Sequence, residues 1–140
     1  MIEKDTIIVP CKPEGVEIFL KRGYWEKITI AEDKIKDLKY IALYQSISEK
    51  KITRIGKIIK IDKYIVSEYK PLKCRVYFKL LDKILDIVLD DTKNRRLIIQ
   101  SPRYTNSKKL FSCKTFSELF SDNQKEWKSY SLFLKSIYFT

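Results

Sequence analysis

Apolar and polar positions along most of the chain follow the pattern of β-strands. Unbroken β-branched or apolar runs indicate buried strands, and alternation of apolar and polar positions indicates strands covered on one face. These patterns predict strands over residues 6–10, 24–30, 40–44, 52–64, 75–80, 84–89 and 96–100. In the second of these, strict alternation would place Trp25 and Lys27 on one face and Ile28 on the other. Gly56, within the longest segment, predicts a bulge or a close backbone approach.

Helical spacing replaces this pattern in two regions. Between residues 13 and 22, Val16, Phe19 and Leu20 share one face, and Gly23 suits a left-handed C-terminal cap. After residue 106 the spacing predicts helices over residues 107–113, 114–120 and 122–135. The last of them carries an apolar stripe formed by Trp127, Tyr130, Phe133 and Leu134. With 140 residues, the chain is predicted to fold as one α+β domain spanning residues 1–140.

The composition adds a strong positive charge to this picture. The chain has 29 Lys and Arg against 18 Asp and Glu, which gives a formal net charge of +11. Such a field attracts polyanions, of which nucleic acid is the commonest protein partner. DNA is therefore the predicted partner, with RNA as an alternative. The competing explanation is that a Lys- and Ile-rich composition merely reflects an AT-biased genome.

Several functional classes are excluded by residue types that the sequence lacks. Without histidine, the usual general base, the commonest metal ligand and every Ser-His or Cys-His nucleophile pair are missing. The three widely spaced cysteines form neither a disulfide framework nor a zinc motif, and with only three glycines there is no Gly-rich nucleotide-binding run. No apolar run is long enough to span a membrane, and Glu3 and Asp5 interrupt any signal-peptide start. We predict a cytoplasmic protein with no cofactor, no metal site and no membrane association.

The densest candidate for binding is the segment 101–109, Ser-Pro-Arg-Tyr-Thr-Asn-Ser-Lys-Lys, where the predicted strands end and the helices begin. Arg103 and Lys108 can neutralise phosphates, and Tyr104 offers a ring on which a base can stack. Thr105 belongs to the same predicted nucleic-acid-binding set. The competing interpretation is a helix-capping loop with solvated lysines.

Two aromatic positions and a basic pair supply further candidates. Trp25, beside a glycine turn, can form one wall of a cup for a flipped or single-stranded base. Tyr44 and Gln45 end a predicted central strand, where Gln45 could read a base edge. Trp25 and Tyr44 could instead belong to the core. Arg95 and Arg96 could contact phosphates or simply keep a hairpin tip soluble.

An enzymatic interpretation depends on Asp62, Glu68 and Lys70. These residues resemble the acidic pair and Glu-x-Lys element with which metal-dependent nucleases hold magnesium. Such a pattern arises easily in a chain rich in Asp, Glu and Lys, and Pro71 follows the lysine in what looks like a turn. We therefore predict no catalytic residues and keep a small nuclease or hydrolase as the alternative.

Four sequence features, taken in order, carry a resemblance to a known family. A Tyr-Trp strand follows a short helix, and then come Lys-Tyr-Ile-Ala-Leu-Tyr at 39–44, Arg-Ile-Gly-Lys-Ile at 54–58 and Pro-Arg-Tyr-Thr at 102–105. Across residues 6–120 this order resembles PUA-like domains, most closely their EVE and ASCH branches. The resemblance implies a small β-barrel of five to six mixed strands flanked by helices, with a concave pocket for a base turned out of its helix.

The resemblance also implies roles for individual residues. Trp25, Tyr44 and Tyr104 would be pocket walls, and Arg103 with Lys108 would be a phosphate clamp. The predicted function is a nucleic-acid-binding module that reads a flipped base, modified or not, as the DNA-recognition part of a restriction or defence system. An effector nuclease or NTPase subunit would be its further partner. The alternatives are a small ASCH-like nuclease or hydrolase, since such members work without histidine, and a protein-interaction domain or phage-borne inhibitor.

Overall fold

A computed structural model describes residues 4–47, 49–64 and 73–121, which form a mixed sheet flanked by short helices. The elements in chain order are β1 (Thr6–Cys11), α1 (Pro13–Arg22), β2 (Tyr24–Ile28), α2 (Glu32–Ile35), β3 (Tyr40–Gln45), β4 (Lys51–Tyr64), β5 (Lys73–Val88), a 3₁₀ turn (Arg95–Leu97), β6 (Arg103–Thr105), α3 (Ser107–Ser112) and α4 (Phe116–Phe120). The helix predicted over residues 122–135 lies outside the described residues. No helix within the described part of the chain is long and apolar enough to cross a lipid bilayer.

The six strands lie in the order β2-β5-β4-β3-β1-β6. β1 and β3 are parallel, and the other neighbours are antiparallel. Register shifts between β4 and β5, the two longest strands, increase the local twist, and the sheet curls into a half-barrel. The predicted small α+β barrel of five to six mixed strands is therefore confirmed, in a half-barrel form whose edges, among the described residues, are β2 and β6.

Each face of the sheet carries its own hydrophobic core. The first core lies under α1 and α2, and its buried residues include Ile7, Val9, Phe19, Ile41, Leu43, Val76 and Phe78. The second core lies under the 3₁₀ turn, α3 and α4, and includes Ile8, Ala42, Tyr44, Ile52, Ile87, Leu97, Leu110 and Phe116. Because β1 and β3 contribute to both cores along successive residues, the sheet is covered on both faces at its centre.

Strict alternation fails at two places in the strands. In β2, Lys27 has a φ of 60° and the pairing with β5 shifts register, so Trp25 and Ile28 both pack on the first core. In β4, a register shift follows Ile52, and Ile52 and Ile55 both enter the second core. The predicted opposition of Trp25 and Ile28 is therefore wrong, since a bulge adds one residue to the count.

Two predicted strand boundaries also differ from the structure. Residues 75–80 and 84–89 belong to one continuous strand, β5, which runs to Val88. Residues 96–100 do not pair with the sheet: Arg95–Leu97 form a 3₁₀ turn, and Leu97 and Ile99 reach the second core from outside the ladder. The expected close approach at Gly56 is confirmed, because a Cβ atom built there would lie 2.4 Å from Cδ2 of Phe78.

Candidate nucleic-acid interface

The predicted binding segment around β6 is divided between the two faces of the sheet. The Arg103 guanidinium lies 3.7 Å from the centre of the Phe120 ring and donates a hydrogen bond to the Arg96 carbonyl oxygen, and burial lowers its pKa. The Tyr104 ring packs against the first core, where its hydroxyl accepts a hydrogen bond from the Ala31 N–H at 3.3 Å. Adjacent strand residues point to opposite faces, so these two side chains do not converge on one ligand.

Other residues of this region are divided between helix capping and the surface. The Asn106 side chain accepts hydrogen bonds from the backbone N–H groups of Lys108 and Lys109 at 2.9 and 3.3 Å, which is the capping arrangement that the alternative interpretation expected. Thr105 is buried. The exposed residues of the predicted set here are Arg95, Arg96 and Lys108.

The predicted aromatic cup is not assembled by the fold. Trp25 is half-buried and packs edge-on against Phe19, with ring centres 5.8 Å apart, on the first face of the sheet. Tyr44 is 3% exposed and packs edge-on against Phe116 on the second face. Gln45 accepts a hydrogen bond from the Thr53 hydroxyl at 2.6 Å. Trp25 and Tyr44 therefore stand on opposite sides of the sheet and cannot enclose one base between them.

A pair of tyrosines that the sequence analysis did not select lies on the outward side of the half-barrel. Tyr24 of β2 pairs across the ladder with Tyr77 of β5, and their ring centres are 5.8 Å apart at an angle of 44°. Val76, the residue before Tyr77, points into the first core, so Tyr77 points away from it. Both tyrosines are half-buried, which leaves part of each ring open to solvent.

Cationic side chains surround this tyrosine pair. The Arg75 guanidinium lies 5.3 Å and that of Arg22 5.9 Å from the centre of the Tyr24 ring, and the Lys60 ammonium lies 4.8 Å from the centre of the Tyr77 ring. Cations at such distances are attracted by the ring quadrupole. We call these five residues, Arg22, Tyr24, Lys60, Arg75 and Tyr77, the tyrosine platform.

Acidic side chains pair with two of the platform's three cations. Arg75 forms an ion pair with Glu26 and donates a hydrogen bond to the Tyr77 hydroxyl at 3.3 Å, and this hydroxyl bond is the main cause of its raised pKa. Its Nε has no hydrogen-bond partner within the described residues. Lys60 lies 3.6 Å from the Asp62 carboxylate in an exposed pair. The platform thus combines ring surface with positive charge, the two features that single-stranded nucleic-acid sites share.

The sequence alone predicts part of the tyrosine platform. Period-two alternation in the segment 75–79 places Arg75, Tyr77 and Lys79 on one face of a strand. The rest requires the pairing of β5 with β2 on one side and β4 on the other, which brings Tyr24 and Lys60 next to Tyr77. This long-range pairing is not readable from local pattern, and the site was therefore missed.

Only one of the two acidic residues of the enzymatic interpretation lies in the part of the chain that the structure describes. Asp62 lies on β4 and pairs with Lys60, while Glu68 and Lys70 fall outside the described residues. Within residues 4–47, 49–64 and 73–121 no group of three or more His, Cys, Asp or Glu side chains could hold a metal ion.

Comparisons with known proteins identify a structural relative but no sequence relative. No family model matches the chain, and no curated protein matches it. The structure is similar to the crystal structure of a serine-to-alanine variant of ZmASCH from Zymomonas mobilis, with a TM-score of 0.53 and 15% sequence identity, covering 80% of this chain and 98% of that one. A tyrosine-to-phenylalanine variant of the same protein gives a TM-score of 0.49 at 12% identity, covering 78% and 98%.

Proposed function

We propose that this chain, whose fold is that of the PUA-like ASCH domains, is a nucleic-acid-binding domain that holds a single-stranded segment on the tyrosine platform. The observation that carries the proposal is the cross-strand pair of Tyr24 and Tyr77 with three cations around it. A base stacked on an aromatic side chain contributes about 1–3 kcal/mol to the binding free energy, whichever base it is. Positive side chains beside the rings add the attraction for phosphates, which the net charge of +11 extends over the molecule.

The base is held on an open surface in this proposal. Because Trp25 and Tyr44 pack against opposite faces of the sheet, the platform takes the role that they were predicted to have. The exposed Arg95, Arg96 and Lys108 contact phosphates further along the strand. DNA is the favoured ligand, and RNA is the alternative.

The domain has no reaction of its own in this proposal. Its biological output would come from a separate effector, a nuclease or NTPase subunit of a restriction or defence system, for which it supplies recognition. Incubation of labelled DNA and RNA with the protein and magnesium tests this point. Cleavage that is lost in Asp62→Asn would overturn the non-catalytic assignment and favour a small nuclease.

Fluorescence anisotropy with labelled single-stranded and duplex oligonucleotides tests the binding proposal directly. Tyr77→Ala should weaken single-strand binding by about 5- to 150-fold, which corresponds to the loss of one stacked base. Tyr77→Phe keeps the ring and loses only the hydroxyl that accepts from Arg75, so it should retain most of the affinity. If circular dichroism shows that both proteins are folded and Tyr77→Ala binds as tightly as the wild type, the proposed role of the tyrosine platform is refuted.

A further inference from the structure

A cavity of about 600 Å³ lies away from the platform, at the carboxyl ends of the parallel strands β1 and β3. Its walls come from the end of β1, the end of β3, the turn before β4 and the segment after β5. The lining residues include Pro10, Lys12, Tyr44, Ser46, Lys50 and Ile99. Small-molecule sites in proteins fall within this range of volumes, and they combine apolar walls with a few polar groups.

Part of the cavity lining is cationic. Lys12 and Lys50 line it, and neither has an ion pair within the described residues. Lys50 adopts a φ of 50°, and its carbonyl oxygen accepts a hydrogen bond from the Leu89 N–H at 3.0 Å, which fixes its backbone at the rim. The backbone N–H of Ser46 donates a hydrogen bond to the Cys11 carbonyl oxygen at 3.2 Å, which holds Ser46 beside the cavity. The cavity is therefore lined by two lysines that no carboxylate of the described residues neutralises.

Tyr44 supplies a polar group that the fold itself does not use. The residue is only 3% exposed and lines the cavity, yet within the described part of the chain its hydroxyl has no hydrogen-bond partner. Burial raises the pKa of Tyr44, so the hydroxyl keeps its proton and can donate. Among the described residues, the only buried side-chain polar atom without a partner is the Arg75 Nε, so the Tyr44 hydroxyl is open to solvent through the cavity and is available to a ligand oxygen there.

The remaining wall is apolar. Pro10, Ile99 and two neighbours, Leu89 and Ile98, contribute hydrocarbon surface to the cavity. Inorganic phosphate alone would leave this wall in contact with water. A ligand that carries an apolar body beside its anionic group would cover the wall and engage both lysines at once.

We propose that this cavity binds a small phosphate monoester with a flat apolar body, such as an aryl phosphate or a nucleoside monophosphate. Lys12 and Lys50 neutralise the phosphate, the Tyr44 hydroxyl donates a hydrogen bond to a phosphate oxygen, and the body lies against Pro10 and Ile99. The inference is independent of the tyrosine platform, which lies at the opposite end of β5.

Isothermal titration calorimetry with phenyl phosphate and the four common nucleoside monophosphates tests the inference. At least one monoester should bind saturably. Lys50→Gln should weaken it by about tenfold or more, and Tyr44→Phe, which keeps the ring and removes the hydroxyl, by about threefold or more. Lys36→Gln, at an exposed position on another part of the surface, removes the same charge and should leave the affinity unchanged.

Two further measurements complete the test. The first compares the two halves of the ligand, and the second distinguishes the cavity from the tyrosine platform. Inorganic phosphate and the matching nucleosides should each bind more weakly than the monoester, because each lacks one half of the ligand. Tyr77→Ala should weaken oligonucleotide binding and leave monoester binding intact. The cavity assignment would be overturned if no monoester bound to the folded wild type, or if Lys50→Gln and Tyr44→Phe both bound the monoester as tightly as the wild type does. Neither result would contradict the proposal for the tyrosine platform.

Discussion

The Asp5 carboxylate accepts two hydrogen bonds from Ser107, from its backbone N–H at 2.7 Å and from its hydroxyl at 2.6 Å, across 102 residues of chain. The Thr6 hydroxyl donates a third bond to the same carboxylate at 3.0 Å. All three residues are buried. The contact joins the start of β1 to the start of α3, and so fixes where the helices of the second core sit on the sheet.

Asp5→Ala should destabilise the protein by about 2–4 kcal/mol, because it leaves buried donors of Ser107 and Thr6 without partners. Urea denaturation followed by circular dichroism measures the change in the free energy of unfolding. Asp82→Asn removes a carboxylate at an exposed position and should cost less than about 0.5 kcal/mol. Similar losses in both variants would contradict a structural role for Asp5.

Gly56→Ala should destabilise the protein by about 1–3 kcal/mol through overpacking, since its Cβ would lie 2.4 Å from Cδ2 of Phe78. The Phe78 ring belongs to the first core, so it can move away from the new methyl group only by losing packing contacts there. The double variant Gly56→Ala/Phe78→Leu should recover stability relative to the sum of the two single changes. Thermal unfolding of the four proteins gives the coupling, and strict additivity would rule out the contact as the cause.

Lys60→Gln should weaken oligonucleotide binding and reduce its dependence on salt. Each phosphate neutralised on a single strand contributes about −0.7 to the slope of log K against log salt, so the slope should fall by about that amount. Lys36→Gln carries the same charge change away from the platform and is the matched control. An unchanged slope in Lys60→Gln would place the phosphates elsewhere on the molecule.

Cys11 should react slowly with iodoacetamide in the folded protein. Burial, with a smaller contribution from Glu14, raises its pKa from 9.0 to about 11. The thiolate is the reactive form, and a shift of this size lowers its population at pH 8 by about 100-fold. Mass spectrometry of labelled peptides should show slow labelling at pH 8 that accelerates as the pH rises toward 11, and fast labelling in urea. Rapid labelling of the native protein at pH 8 would contradict the burial of Cys11.

Because the neutral thiol is favoured in the folded state, the same shift lowers stability at alkaline pH. Below pH 9 the thiol is protonated in both states and the shift has no effect. Between pH 9 and about 11 the unfolded chain releases the proton while the folded chain retains it, so the free energy of unfolding falls. Cys11→Ala should flatten this part of the pH profile relative to the wild type.

The local parts of the fold could be predicted from the sequence because their signals are local. The α1 helix and its Gly23 cap, the buried β3 strand and the long β4 strand all follow from spacing and residue type. The sequence could not predict which side chains of β2 point into the core, since Lys27 adopts a positive φ that nothing in the sequence demands. A single bulge of this kind exchanges the two faces for every residue that follows it.

The candidate site was harder to predict for the same physical reason. Arg103 and Tyr104 are neighbours in sequence, and a short strand, β6, turns them to opposite faces. Tyr24 and Tyr77 are far apart in sequence, and the ladder between β2 and β5 brings their rings together. A binding surface on a sheet is a property of strand pairing, and pairing of distant strands is the least local information in a chain.

The two edge strands of the half-barrel have a consequence for how the protein behaves in concentrated solution. β6 offers a partner strand only three residues, and β2 is interrupted by the positive φ of Lys27. A second molecule that tried to extend the sheet at either border would find too few aligned amide groups to continue a ladder. Among the described residues, the borders of the sheet therefore disfavour edge-to-edge association of two copies.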